Sequence, residues 1–177
     1  MRREIHISEN QTRIFLSLDE MPEVTAFAAL FEYWLARRSS NGRPPLSEGF
    51  DPASILSDAD RPWLATVNVV AENPYNFMFE SHAPSDSFAA TVGKPLGAIP
   101  DTEHADCLAD EFLFIKQNKE PRLDRIDHIA AAWHRHYDRL GVPVICGKTG
   151  QVVRVFTTVN RLEPSRLISS LSSVAMA

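Results

Sequence analysis

Within the stretch 132–138, AWHRHYD, two imidazoles and a carboxylate recur at alternate positions: His134, His136 and Asp138. Imidazole and carboxylate together suit zinc or iron, and a facial arrangement on iron asks for two histidines and one acid. Side chains alternate in direction along a strand, so a strand would put all three on one face and Arg135, Tyr137 and Arg139 on the other. A helix would scatter them. No further ligand is placed by spacing, although His128 would join if the preceding strand folded back. The expectation is therefore a solvated strand face, with a metal site as the minor alternative.

Two other kinds of chemistry find little support. The SDS run at 85–87 lies near His82, yet it has no Gly-x-Ser-x-Gly elbow and no base with an orienting acid. GKTG at 147–150 has a Lys-Thr pair but lacks the preceding glycine of a phosphate loop, and reads as a turn within a hairpin.

These residues must be carried by about one domain, since the chain has 177 residues and domains typically run to roughly 100–200. Lys and Arg number 18 against 23 Asp and Glu, a formal charge of −5 with no basic stripe, which argues against nucleic acid as a partner. Cys107 and Cys146 lie far apart with no second cysteine at ligand spacing. The chain opens with MRREIHISEN rather than an apolar signal segment, so a reducing cytoplasm is expected. No run reaches the ~18 apolar residues that would predict a membrane-spanning helix.

Along the chain, residues 1–21 alternate apolar and polar types and read as an N-terminal arm, either an edge strand or a contact with another subunit. From Pro22 to about Ser39, Phe27, Phe31, Trp34 and Leu35 recur at helical spacing, with Arg37 and Arg38 where the helix dipole favours cations. The run SSNGRPPLSEGFDP breaks that helix, and DPASILSD restarts a short one with Asp51 as cap and Pro52 as first residue. WLATVNVVAE and YNFMFESH, separated by Asn-Pro, predict a hairpin. Residues 84–92 suggest a short helix ended by Gly93. Asp101 can cap a longer helix to about Asn118, with Ala105, Leu108, Phe112 and Ile115 in one stripe and Glu120-Pro121 as its stop. The stretch IDHIAAAWHRHYDRL has no clean period, leaving helix and strand both open. GVPVICG and QVVRVFTTVNRL then predict a second hairpin with Val153, Val155, Thr157 and Val159 on one face. Residues 163–177, small and nearly uncharged towards the end, read as a flexible tail.

The order of these fragments favours an α+β fold with an antiparallel sheet. YWLARR closing a helix, a proline-bearing link, DPASIL, NVVAENPYNFMF, GKPLG, YDRLGVPV and TGQVVRVF together resemble the bacterial stand-alone, single-domain PAS proteins. The resemblance spans about residues 25 to 162, and the domain it implies is 22–162 including the flanking helix 22–39. Met78 and ESHAPSD stand where that group commonly has an Arg and then a Gly.

The resemblance implies a PAS-like five-stranded antiparallel sheet, covered by short helices on one face, with strands near 63–71, 75–81, 122–131, 134–145 and 151–161. It implies a ligand pocket between sheet and helices, for which Phe79, His82, Phe88, Cys107, Phe112 and Trp133 are the candidate lining residues. The flanking helix, with Phe27, Phe31 and Trp34, would cover the sheet or form a homodimer or partner interface. Because some PAS domains hold haem through a histidine in the helical region, His104 and His82 are candidate haem ligands, each weighed against a capping or surface role. The Asn-Cys-Arg-Phe type of motif needed for flavin photochemistry is not found in the sequence.

The function implied is a non-enzymatic sensory or interaction domain that binds a small ligand or a signalling protein and acts in trans, without a tightly bound cofactor. Two alternatives remain open at this level: a metal- or haem-dependent redox protein or enzyme using His134, His136 and Asp138 or His104, and a structural adaptor with no ligand.

Overall fold

The computed structural model describes residues 5–7, 11–81, 91–130 and 133–162. At 5–7, Ala130 and Trp133 only the backbone is described. Strands β1 (Ile5–Ile7) and β2 (Gln11–Leu16) precede helix α1 (Thr25–Leu35). Strands β3 (Leu64–Asn68) and β4 (Met78–Ser81) precede helix α2 (Thr102–Asn118), and β5 (Arg122–Ala130), β6 (Trp133–Ile145) and β7 (Val152–Arg161) follow. All pair antiparallel in one open sheet of order β1-β2-β5-β6-β7-β3-β4.

Five of these strands fall where the resemblance implies them, and β1 and β2 extend the sheet beyond β5. The N-terminal stretch is thus part of the sheet of its own chain: Gln11 to Leu16 pair with His128 to Leu123. The ambiguous segment around AWHRHYD resolves as two strands because its neighbours supply ladder partners that local propensity cannot. His134 pairs with Ile129, and Asp138 with both Arg125 and Asn160.

Asp101 caps α2 as its side chain accepts a hydrogen bond from His104 N–H at 3.0 Å, and the helix ends at Lys119, in the left-handed conformation at φ 59°. Its predicted stripe, Ala105, Leu108, Phe112 and Ile115, is buried against Val67, Phe79 and Val155. Contact is close at Gly141 of β6, where a Cβ would lie 2.7 Å from Ile115 Cδ1, so a larger residue would force the Ile115 side chain to shift. The β3–β4 hairpin turns at Pro74–Asn76, with Asn73 Oδ1 accepting the Tyr75 N–H. The free side of β4 is partly covered, since the carbonyls of Phe79 and Phe77 accept hydrogen bonds from Gly93 and Leu96. The short helix expected at 84–92 and the tail at 163–177 lie outside the described residues, apart from Thr91 and Val92.

Helix α1 is the expected flanking helix, and of the two roles the resemblance implies it takes that of covering the sheet. Leu140, Val142 and Val144 point away from α2 and pack with Leu16, Phe27, Leu30 and Trp34, so α1 covers the opposite face of the sheet. Trp34 is anchored there by its indole N–H, which donates to the Pro143 carbonyl at 2.7 Å. Phe27 and Trp34 are fully buried within the chain, and Phe31 is half-buried and stacked on Trp34. This corrects the assignment of Phe27 and Trp34 to a dimer or partner surface: the aromatic face that needed covering is covered by the chain's own sheet.

Candidate functional site

The face of the sheet under α2 is apolar at one end and ionic at the other. At the apolar end Phe79 and Phe112 meet edge-on at 6.2 Å between ring centroids, among Phe77, Leu96, Leu108 and Ile115. At the other end β2, β5 and β6 carry Arg13, Asp124 and Arg139, and α2 adds Glu111, all buried. Arg139 Nε donates to both Glu111 oxygens at 2.9 Å, and its Nη2 also reaches Glu111. Arg13 donates to Asp124 at 3.2 Å and to the Cys107 carbonyl at 3.3 Å, with Glu111 at 4.0 Å. Arg122 Nε donates to the same Asp124 oxygen at 2.8 Å while its guanidinium lies over the Phe114 ring.

Three guanidinium groups therefore face two carboxylates. Burial by itself pulls the pKa of Arg13 and Arg139 down, but the neighbouring carboxylates outweigh it and both stay firmly cationic. Among the described residues the set has one more cation than anions. Two of its polar atoms, Arg13 Nε and Asp124 Oδ1, are buried with no hydrogen-bond partner among the described residues. Beside it, Cys107, Ile126 and Tyr137 form a small apolar cluster. Burial pushes the Cys107 thiol up and the Tyr137 hydroxyl up to about 12, so both are neutral near pH 7 and neither offers an activated nucleophile.

Of the predicted pocket residues, Phe79, Cys107 and Phe112 are brought to this face, Trp133 begins β6, and His82 and Phe88 lie outside the described residues. His104 is buried and its ring lies 5.6 Å from that of His128, which sets it in the α2–sheet interface rather than at the surface. His134, His136 and Asp138 do share a face, as a strand requires. Both oxygens of Asp138 accept from Arg125, at 2.7 and 3.0 Å, and His134 pairs with Asp127 of β5. Among the described residues no group of three or more His, Cys, Asp or Glu is placed to hold a metal ion.

The ionic set was not singled out from the sequence. A signal existed in Glu111, which falls on the same helical face as Leu108 and Ile115. A second lay in RLDRID, where Arg122 and Asp124 alternate with Leu123. Charges at positions whose period calls for core residues mark a buried network, but their partners lie far off in the chain.

The five strands implied by the resemblance form one antiparallel sheet, and α2 crosses the face where a pocket was expected. The fold is α+β, an open antiparallel sheet with a helix packed on each face. No family model and no curated protein matches this chain. Among solved structures it is similar to the PAS domain from Bordetella pertussis BvgS, at 15% sequence identity and a TM-score of 0.44, over 63% of this chain and 85% of that one. No described helix is long and apolar enough to cross a membrane.

Proposed function

We propose that this chain is a non-enzymatic sensory domain in which a small ligand bearing a carboxylate or other anionic group enters between α2 and the sheet. The ligand re-pairs the arginines there, and a partner protein reads the changed position of α2. The observation that carries this reading is the buried set of Arg13, Arg122 and Arg139 against Glu111 and Asp124. Buried ion pairs are a poor way to gain stability, because apolar residues of similar volume often serve as well or better. They do provide donors that an incoming anion can take over, and the surplus positive charge gives such an anion a net attraction.

Re-pairing is also a route for transmission. Glu111 is on α2 and its partner Arg139 is on β6, so a ligand that competes for the arginine weakens the hold of the sheet on the helix. It can shift α2 only by the difference in its affinity for the two positions.

Thermal unfolding in acetate, succinate, citrate and inorganic phosphate, at equal ionic strength against chloride, tests the reading. At least one anion is expected to raise the midpoint in the parent chain and to lose that effect in Arg13→Met. Equal responses of parent and variant, or no anion better than chloride, would contradict it.

A further inference from the structure

The N-terminal end of α2 carries a second device, independent of whether the interface takes a ligand. Asp101 uses its two carboxylate oxygens for two elements. Oδ1 accepts from His104 N–H at 3.0 Å and so caps the helix, while Oδ2 lies 3.4 Å from Nε2 of His128 on β5. His128 is buried at 1% exposure in the centre of the sheet face, with Gln11 opposite it on β2 and Arg135 opposite it on β6. The His104 ring lies above it at 5.6 Å. Among the described residues, the charged groups near it are Asp101 and Glu103 from the start of α2 and Arg135 from β6, with Asp127, next to it in its own strand, on the opposite face of the sheet.

We propose that His128 is the trigger of a pH-sensitive latch that holds the first turn of α2 on the sheet near neutral pH and releases it in mild acid. Burial penalises an imidazolium at this position and lowers the pKa of the ring below its ordinary value. Asp101, Glu103 and Asp127 oppose the shift without cancelling it, and Arg135 adds to it. The positive end of the α2 dipole also disfavours a second cation here. A proton taken from solvent is thus better accommodated when the ring reaches water. Lifting the capped turn exposes His128 while the Leu108–Ile115 part of the helix stays in the apolar core.

The sign follows from the depressed value. The latched state gains its full advantage above the ordinary histidine pKa of about 6.5, and loses it as pH falls from there through the lower pKa of the latched ring.

Amide hydrogen exchange on the full chain, corrected for intrinsic rates, reads the opening at His104 N–H and Ala105 N–H, both bonded to Asp101. Protection there is expected to fall about tenfold per pH unit within that window, while protection at Phe112 and Ile115 holds. His128→Gln should flatten the profile and His104→Gln should not. A flat profile in the parent, or an undiminished fall in His128→Gln, would overturn the latch. If His128→Gln does not fold, the His128 ring titration in the parent chain decides. A midpoint below the ordinary histidine value upholds the latch, and one at or above it overturns it.

Discussion

At the scale of single residues, the α2–sheet contact is governed by what happens when one charge loses its partner. Glu111 is fully buried and both of its oxygens accept from Arg139. Glu111→Gln leaves the Arg139 guanidinium buried without its carboxylate partner, and breaking a buried pair in this way typically costs ~3–5 kcal/mol. Replacing both partners, as Glu111→Leu with Arg139→Met, should recover much of that loss. Urea unfolding of the three proteins checks the pair, and a single substitution costing under ~1 kcal/mol would show that the network contributes little to holding α2. The outer-face trio behaves differently. Asp138 is buried, and both of its oxygens are engaged by the half-exposed Arg125.

At the scale of elements, α1 decides between a stabilising and an associating role. Trp34→Ala removes a fully buried indole together with its hydrogen bond to Pro143, and is expected to cost ~3–5 kcal/mol. Denaturation and light scattering on the same samples separate the two roles: lower stability with unchanged association is expected, and lost association at unchanged stability would contradict the packing described for α1. How legible each element was in the sequence follows from how local its determinants are. The cap at Asp101, the stripe through Ile115 and the stop at Pro121 lie within one segment, and α2 could be read from it with its ends in place. The strands β5 and β6 could not be read that way, since IAAAWHRH has no period of its own and its described residues are held by the ladder between β5 and β6. The same reason hid Arg13 and Asp124, 111 residues apart in sequence and 3.2 Å apart in space.

At the scale of the whole molecule, the sheet is clasped by a helix on each face, and the two contacts are unlike. Under α1 the contact is an apolar cluster anchored by Trp34, suited to permanence. Under α2 it combines an aromatic core, an ionic network with one more cation than anions among the described residues, and a histidine latch at the helix start. Movement is therefore expected at α2 rather than α1, and β1–β2 takes part because it supplies Arg13. The proposed ligand between α2 and the sheet is open to a direct test by native mass spectrometry of the full chain as purified. A population heavier than the bare chain by one small anionic molecule is expected, lost on collisional activation and lacking in Arg13→Met. Bare chain alone in the parent, or the same added mass on the parent and on Arg13→Met, would contradict it.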